Sequence, residues 1–213
     1  MIEIPRPTLE RLPRYYRCLC LANERDQKTI SSDEIGREVG VNVVQVRKDL
    51  AYFGEFGRPG VGYNVDTLMR ELERLLGLQT PTEAVLVGAG RLGTAIASYP
   101  GFGRYSLRIV ALFDNDPQRI GTRVGDAQVF SLDKLPHIVR RLGIELGIIC
   151  VPREPAQATA ELLVDNGVKA IWNFAPTTLK LPKEIAVRNE DLAVGLSTLC
   201  HHLNKDQLNL RKK

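Results

Sequence analysis

Apolar residues in the second half of the chain come in short continuous runs that alternate with segments of helical spacing. The runs occupy residues 85–87, 107–113 and 146–151, and residues 169–174 are a further predicted strand. Residues 131–143 and 154–166 carry the helical spacing, with Ser131 as the expected cap of the first segment and with Ala158, Leu162 and Leu163 on the apolar side of the second. Continuous runs are typical of strands buried on both faces, so the pattern predicts an α/β fold with a doubly wound parallel sheet.

The first strand of this sheet runs directly into a glycine-rich loop. The loop reads Gly88-Ala89-Gly90-Arg91-Leu92-Gly93, which has the spacing G-x-G-x-x-G. Gly88 permits a tight turn, Gly90 lets the backbone approach a pyrophosphate, and Gly93 lets the following helix pack closely on the sheet. The N–H groups at the start of that helix point at the phosphates. The loop predicts a dinucleotide site, with an ordinary turn as the alternative.

Asp114 ends the second apolar run about 20 residues after Gly93, the spacing expected of a carboxylate that binds the adenosine ribose. A carboxylate there repels a 2′-phosphate, which favours NAD over NADP, although Arg119 and Arg123 lie nearby in the sequence. The alternative is a cap or turn residue in Asp-Asn-Asp-Pro.

The ends of the later strands predict the other half of this site, because parallel sheets bind ligands at the carboxyl ends of their strands. We expect five residues to lie near the nicotinamide half of a dinucleotide: Val151, Pro152, Asn173, Phe174 and Ala175. Taken singly, each of them is equally compatible with an ordinary loop position.

The first 80 residues show a different, helical organisation. Residues 8–23 place Leu9, Leu12, Tyr16 and Leu19 on one stripe, although Pro13 argues for a kink or a later start. A capping box at 31–34, with Ser31 and Glu34 as its ends, opens a second helix that Gly40 ends. Asn42 then caps a third helix over 43–53, which Gly54 ends. Two short helices joined at a glycine predict a helix-turn-helix.

The period of the third helix separates an inner face from an outer one. Val43, Val46, Leu50 and Phe53 fall on the inner face. The outer face carries Val44, Gln45, Lys48, Ala51 and Tyr52, with Arg47 at its edge. Gln45, Arg47, Lys48 and Tyr52 are suited to reach DNA bases or phosphates. The alternative is a solvated helix flank in which Arg47 and Lys48 pair with Asp49.

Residues 55–63 follow this helix and have the composition of a hairpin wing. They are rich in glycine, with Arg58 at the expected tip beside Gly60, and such a wing could enter a minor groove, although a plain hairpin fits too. Asp66 is the expected cap of a helix over 67–76, with Leu68, Leu72, Leu75 and Leu76 facing inward. Gly77 and Pro81 mark a linker between two domains.

Composition limits the functions available to the 213 residues. The net charge is +4, but residues 1–80 carry equal numbers of acidic and basic side chains, so binding DNA requires the fold to sort the signs. No substrate domain remains, and the histidines at 137, 201 and 202 lie away from the predicted site, so catalysis is poorly supported.

Cys200-His201-His202 cannot face one metal ion from a helix. No signal peptide or membrane span is visible, and we expect a cytoplasmic protein with reduced thiols.

The motifs taken together resemble the Rex family of redox-sensing transcriptional repressors. Those motifs are residues 45–54, 58–63, 87–93, 99–102 and 172–176, and the resemblance extends over essentially the whole chain. It implies a homodimer with a winged helix-turn-helix domain (1–80), a Rossmann domain that binds NADH or NAD+ (81–192), and a C-terminal domain-swapped helix (193–213). In that family the NAD+ form binds double-stranded operator DNA, and NADH releases the repressor. The family often has an aromatic residue after the aspartate near the nicotinamide, where this chain has Leu192 after Asp191.

The C-terminal segment is a candidate for contact with a second subunit, and such a contact could couple the predicted dinucleotide site to the predicted DNA-binding site. Residues 192–210 are helical in tendency, with an incomplete stripe of Leu196, Leu199, Leu203 and Leu208 after Gly195, which a partner chain or the chain's own sheet could cover. We expect Asp191 to pair with Arg17 of the partner subunit in the DNA-binding arrangement and with Tyr99 when NADH closes the dimer. A small oxidoreductase and a nucleotide- or CoA-binding subunit are the competing functions.

Overall fold

The computed structural model describes residues 4–54, 57–58, 60–194, 196, 199–200 and 203. The chain forms two compact units, unit 1 (Met1–Thr80) and unit 2 (Pro81–Lys213). Each unit has its own buried core.

The described residues of unit 1 form four helices and a small sheet. The helices are α1 (Arg6–Glu24), α2 (Ser32–Val39), α3 (Val43–Ala51) and α4 (Val65–Leu76). The strands β1 (Thr29–Ile30), β2 (Gly57–Arg58) and β3 (Gly62–Asn64) form an antiparallel sheet in the order β1-β3-β2. Helices α2 and α3 make the predicted helix-turn-helix, and β2 with β3 makes the predicted wing.

Local signals define the ends of α2 and α3 as expected. Ser31 Oγ accepts a hydrogen bond from the Glu34 N–H, and the Glu34 carboxylate accepts one from the Ser31 N–H, which completes the capping box. Gly40 ends α2 in the left-handed region at φ 70°. Asn42 Oδ1 caps α3 by accepting from the Val44 N–H at 2.8 Å. However, α3 ends at Ala51, earlier than the predicted limit.

Two predictions for the helices of unit 1 were wrong. The first helix begins at Arg6 and runs through Pro13, and Leu9 is exposed whereas Tyr15 is fully buried. Pro13 cannot donate a hydrogen bond to the carbonyl of Leu9, and the exposure of Leu9 leaves this side of the helix open to solvent. The cap of α4 is Asn64, whose Oδ1 accepts from the Thr67 N–H at 2.9 Å, because β3 leads straight into the helix.

Unit 2 is a seven-stranded sheet with helices packed on it. Its strands are β4 (Thr82–Val87), β5 (Leu107–Asp114), β6 (Arg123–Val124), β7 (Ala127–Ser131), β8 (Leu146–Ile149), β9 (Ala170–Asn173) and β10 (Ala186–Asn189). The order is β10-β9-β8-β4-β5-β7-β6, and every neighbouring pair is parallel except β6 with β7. The chain turns from one side of β4 to the other at β8, which creates a crevice at the carboxyl ends of β4 and β8.

The helices of unit 2 are α5 (Arg91–Ala97), α6 (Leu135–Leu142) and α7 (Arg153–Asp165), with 3₁₀ turns at Pro100–Tyr105 and Leu132–Lys134. Apolar clusters cover both faces of the sheet, which gives the predicted doubly wound architecture. Sequence patterning missed β6, β7 and β10, which lie at or next to the sheet edges and do not carry long apolar runs. Ser131 makes no cap hydrogen bond, since it ends β7 and precedes the 3₁₀ turn.

The predicted apolar face of α7 was also partly wrong. Its buried residues are Ala156, Thr159, Ala160 and Leu163, whereas Ala158 is exposed and Leu162 is only partly buried. Small residues predominate on the buried face, and one of them is polar, so a count of large apolar residues assigns the face incorrectly.

The described residues at the C-terminal end are helical and carry exposed apolar side chains. Residues 192–194, 196, 199–200 and 203 are in helix, and Leu192, Leu196, Leu199 and Leu203 each expose at least 60% of their surface. Gly195, Leu208 and the histidine pair lie outside the described residues. Within the described ranges, no helix is long and apolar enough to cross a membrane, and no group of His, Cys, Asp or Glu could hold a metal ion.

Candidate functional site

A groove of about 490 Å³ opens at the carboxyl ends of β4, β5 and β8 in unit 2. The predicted site residues that line it are Gly88, Gly90, Arg91, Leu92, Asp114, Val151, Pro152 and Phe174. The glycine loop, the candidate ribose carboxylate and the ends of later strands therefore share one groove. Ala89, Gly93, Asn173 and Ala175 are buried and do not line it.

The three glycines of the loop differ in what they require. Gly88 has φ +101°, and a Cβ on it would lie 2.6 Å from the carbonyl oxygen of Cys150. A Cβ on Gly93 would lie 1.9 Å from the carbonyl oxygen of Gly88, so α5 approaches β4 as closely as a glycine allows. A Cβ on Gly90 would meet only Arg119 Nη1, at 3.6 Å. Packing within unit 2 therefore requires Gly88 and Gly93, and Gly90 leaves open space on the groove side.

Asp114 ties the glycine loop to the end of β5. Its Oδ2 accepts from the Ala89 N–H at 2.8 Å and from Arg119 Nη1 at 3.0 Å, and its Oδ1 accepts from the Asp116 N–H at 2.9 Å. Burial alone would raise the pKa of this carboxyl group, but these hydrogen bonds outweigh burial and hold its pKa below the usual value. The residue is an ionised acceptor that faces the groove, and it also makes the turn contact that we considered as its alternative role.

Arg119 lies in the groove but is already paired. It contacts Asp114 and also Asp116, whose Oδ2 is 3.3 Å from Arg119 Nε. Two carboxylates thus offset the charge of Arg119, which makes it a poorer partner for the 2′-phosphate of an NADP-type nucleotide. Arg123 does not line the groove, and its Nη2 donates to the carbonyl of Asp126.

Asn173, which we expect to lie near the nicotinamide half, organises the loop after β9. Its Nδ2 donates to the carbonyl of Thr177 at 2.8 Å and to Asn189 Oδ1 at 2.9 Å, and its Oδ1 accepts from the Ala175 N–H. The side chain is fully buried. These hydrogen bonds fix the conformation of the loop that contains Phe174, a residue that lines the groove. Asn173 therefore positions a groove residue and does not line the groove itself.

Sequence patterning missed several groove residues. These are Asn115, Leu132, Cys150, Pro155, Thr159 and Pro176. Asn115 and Cys150 directly follow β5 and β8, so the strand-end rule could have found them. Thr159 lies on the second turn of α7, where a groove contact depends on how α7 packs on the sheet. Burial raises the pKa of the Cys150 thiol to about 12, so this thiol is protonated at neutral pH.

The candidate switch residues lie on exposed surface. Tyr99 is 59% exposed, and its ring packs edge-on against Phe102 at 5.1 Å. Asp191 is exposed, and its Oδ1 accepts from the N–H groups of Ala193 and Val194, as a helix cap does. Arg17 is exposed on α1 of unit 1. The pairing of these residues across two subunits stays a prediction.

The recognition face of α3 in unit 1 is exposed largely as predicted. Val44, Arg47, Lys48, Ala51 and Tyr52 are exposed, and Val46 and Leu50 are buried. The alternative interpretation was a solvated helix flank in which Arg47 and Lys48 pair with Asp49, and that pairing was wrong. Asp49 is fully buried and pairs with Arg11 of α1 instead, so the two cations are not tied to it.

Gln45 differs from the other predicted DNA contacts because it is half-buried and bonded to Asp49. Asp49 also accepts from Thr8, Arg11 and Tyr15, all on α1. Burial raises the pKa of Asp49, but the hydrogen bonds from Arg11, Tyr15, Gln45 and Thr8 outweigh it and hold the pKa at about 2. A buried ionised carboxylate therefore joins α1 to α3.

A second groove separates α3 from the wing. Arg47 Nε donates to Ser32 Oγ at 3.0 Å, and both residues line a space of about 570 Å³ with Arg58 and Gly60. Arg58 pairs with Gly62 within the hairpin, so it lies on the wing strand β2, and the turn passes through Gly60 at φ +77°. Residues 55–56 and 59 of the predicted wing lie outside the described part of the chain.

Comparison with known proteins identifies relatives over the full length. Residues 79–177 match a family model described as “CoA binding domain”, and residues 3–51 match one described as “Putative DNA-binding protein N-terminus”. The redox-sensing transcriptional repressor Rex of Desulforamulus reducens is 45% identical over 95% of this chain and 96% of its own. That of Carboxydothermus hydrogenoformans is 46% identical over 96% and 98%.

Solved structures of a Rex-family repressor have the same fold. The crystal structure of RSP in complex with β-NAD+ and operator DNA is 38% identical, with a TM-score of 0.91 over 100% of this chain and 98% of that chain. The crystal structure of RSP in complex with β-NADH is 37% identical, with a TM-score of 0.87 over 99% of both chains.

Proposed function

Because the chain belongs to the Rex family of redox-sensing transcriptional repressors, we propose that it represses transcription by binding operator DNA and is released when NADH binds. One chain combines a helix-turn-helix that exposes Arg47 and Lys48 with a groove of about 490 Å³ that is lined by a glycine loop and the Asp114 carboxylate, and this combination carries the proposal. Occupancy of the operator then reports the ratio of NADH to NAD+.

The residues of the unit 2 groove fit a dinucleotide. The Asp114 carboxylate accepts hydrogen bonds from the adenosine ribose, and the open side of Gly90 admits the pyrophosphate beside Gly88, Ala89, Arg91, Leu92 and Gly93. Val151, Pro152 and Phe174 receive the nicotinamide half, and Asn173 and Ala175 support them from behind. When bound, the nicotinamide supplies the difference of one charge and of ring shape that separates NAD+ from NADH.

The DNA contacts belong to unit 1. Lys48 and Arg47 reach phosphates or base edges from α3, Gln45 and Tyr52 flank them, and Arg58 with Gly60 approaches the neighbouring groove from the wing. Residues 1–80 serve as the DNA-binding domain and 81–192 as the nucleotide domain. A repressor acts where its operator lies, and we therefore assign the protein to the cytoplasm.

A homodimer joins the two functions. The exposed leucines of the segment 193–213, among them Leu196, Leu199 and Leu203, need an apolar cover, and a second copy supplies it by exchange of this helix. In the NAD+ form Asp191 pairs with Arg17 of the partner subunit, and in the NADH form it pairs with Tyr99. The two arrangements space the recognition helices differently, which changes their fit to two half-sites.

The groove supports sensing over catalysis. Asp114 is held ionised by three hydrogen bonds, and the raised pKa of Cys150 keeps its thiol neutral, so neither is poised to exchange a proton near neutral pH. No histidine lines the part of the groove that the structure describes. We therefore do not assign an enzymatic activity.

Selection of duplexes from a random library in the presence of NAD+, followed by gel-shift titration with NADH at fixed salt, tests this function. We expect one inverted-repeat sequence to be retained, and NADH at micromolar concentration to release it while the same concentration of NAD+ does not. Retention of no sequence, or equal release by both nucleotides, would contradict the proposal. A steady oxidation of NADH in the absence of DNA would instead favour an oxidoreductase.

A further inference from the structure

The amide of Gln45 is held by the buried carboxylate of Asp49, four residues later on α3. Gln45 Nε2 donates to Asp49 Oδ1 at 2.8 Å. The same oxygen accepts from Thr8 Oγ1 at 3.0 Å and from Arg11 Nη2 at 2.8 Å. The other oxygen, Oδ2, accepts from Arg11 Nε at 2.6 Å and from Tyr15 Oη at 2.7 Å. Both oxygens therefore accept from fixed donors on α1, and Oδ1 accepts from Gln45 as well.

This arrangement fixes which way the Gln45 amide points. An ionised carboxylate only accepts hydrogen bonds, so the nitrogen of the amide must face Asp49 and the carbonyl oxygen must face away. Rotating the amide by a half turn would place two acceptors against each other beside a buried charge, which is strongly unfavourable. Within the described residues, no hydrogen-bond donor contacts Gln45 Oε1.

The position of Gln45 on α3 brings this fixed amide to the recognition face. It lies in the first turn of α3, one helical turn before the exposed Lys48, and it is itself half-buried at the boundary between core and surface. Residues near the N-terminus of a recognition helix are those that contact base edges. The amide thus presents one acceptor and its second N–H hydrogen to the major groove.

We propose that Asp49 is a positioning residue that holds Gln45 in the orientation that reads adenine in the operator. In that orientation Oε1 accepts from the adenine N6 amino group, and the remaining Nε2 hydrogen donates to adenine N7. Guanine offers two acceptors and cytosine a single donor, so neither pairs with both atoms. The inference rests on the proposed function, since it requires α3 to lie in a major groove.

Selection from the random duplex library in the presence of NAD+, with the wild-type protein and four variants, tests the proposal. The wild type should retain sequences with an adenine preferred roughly 10-fold at one position of each half-site. Gln45→Met, which keeps the size of the side chain and leaves the bonds of Asp49 to α1 in place, should lose the preference at that position alone. Gln45→Glu places a second carboxylate against ionised Asp49, so the side chain should turn away from Asp49 and the adenine preference should be lost.

Asp49→Asn tests the positioning itself. An asparagine amide can donate to Gln45 Oε1, so the fixed orientation is lost and the adenine preference should fall to about 2-fold while the other positions stay unchanged. Gln27→Met is the matched control, because Gln27 also donates to a carboxylate, that of Glu34, outside α3. It should leave every position unchanged.

A measurement on the wild type covers the case in which Asp49→Asn does not fold. The Gln45 side-chain amide hydrogen that faces Asp49 should resonate downfield of the usual range for glutamine side chains in NMR spectra and exchange slowly with water. A fast-exchanging amide, or an adenine preference unchanged in Gln45→Met or in a folded Asp49→Asn, would overturn the proposal. If the wild-type protein retains no sequence at all, the proposed function itself is contradicted. If it retains a sequence but the variants behave as the wild type does, only this inference is contradicted.

Discussion

The backbone N–H of Ala89 donates a hydrogen bond of 2.8 Å to Oδ2 of Asp114, which joins the glycine loop to the end of the neighbouring strand. In the function proposed above, one residue thereby shapes the loop for a pyrophosphate and offers an acceptor for a ribose. That function links the geometry of the loop and the choice of nucleotide through a single carboxylate.

Asp114→Ala should weaken NADH binding at least 10-fold and reduce the preference for NADH over NADPH. The loss removes the ribose acceptor, and it also frees Arg119 from one of its two carboxylates, so that its charge can attract a 2′-phosphate. Titration calorimetry with NADH and NADPH measures both effects. Asp116→Ala is the control, because it also frees Arg119 from one carboxylate but leaves Asp114 in the groove, so the affinity for NADH should be retained. An unchanged affinity ratio in Asp114→Ala would exclude this residue as the selector.

Gly90→Ala and Gly93→Ala should fail in different ways. A Cβ at Gly93 meets the carbonyl oxygen of Gly88 at 1.9 Å, so unit 2 should lose about 1–3 kcal/mol of unfolding free energy or not fold. A Cβ at Gly90 meets no described atom closer than 3.6 Å, so the variant should keep its melting temperature and bind NADH at least 10-fold more weakly. Thermal unfolding and NADH titration of both proteins check this. Wild-type NADH affinity in Gly90→Ala would place the pyrophosphate elsewhere.

Asp49 should make unit 1 sensitive to acid. Its pKa in the folded protein is about 2, below the ordinary value of an aspartate, so its contribution is present above about pH 4 and is lost as the pH falls toward 2. The contribution amounts to roughly 2 kcal/mol. Urea unfolding from pH 7 to pH 2 should show Asp49→Asn less stable by about this amount at pH 7, with the difference vanishing at the acid end. Asp33→Asn, in an exposed pair with Arg37, should change little.

Lys48→Ala should reduce the salt dependence of operator binding. Each phosphate contact contributes about 0.9 to the slope of log affinity against log salt, so the slope should become shallower by about that amount. Lys48 is exposed on the recognition face of α3. Arg74, which pairs with Glu71 on α4, provides the control as Arg74→Ala. An equal change of slope in both variants would mean that net charge alone, and no contact of Lys48, governs binding.

Two substitutions at Asp191 separate its cap from its charge. Asp191→Asn retains a side-chain oxygen for the N–H groups of Ala193 and Val194, whereas Asp191→Ala retains neither the cap nor the charge. If the charge pairs across subunits, both variants should lose most of the NADH-induced release of operator. Gel shifts over a range of NADH concentrations measure this. Wild-type release in Asp191→Asn, with impaired release in Asp191→Ala, would mean that Asp191 serves as a cap only.

The features that the sequence predicted correctly depend on neighbours close along the chain. The Ser31–Glu34 capping box, the Asn42 cap and the glycine at Gly40 each act within one helical turn, so the residue types alone specify them. The loop 88–93 and Asp114 could be predicted for a related reason, because parallel strands bring consecutive carboxyl ends to one edge. The sequence thus predicted that the loop and Asp114 share one groove, and their contacts with a nucleotide stay a prediction.

Tertiary structure decided where each polar side chain points. The amino-acid order placed Asp49 beside two cations on a charged helix, whereas packing of α3 on α1 buried it against Arg11, because carboxylate and guanidinium could satisfy each other only there. In the same way, contacts with Thr177 and Asn189 hold the side chain of Asn173 in the core, behind the groove. Periodicity states which residues share a face, but the partner that covers the face, and with it the role of each side chain, depends on segments distant in the chain.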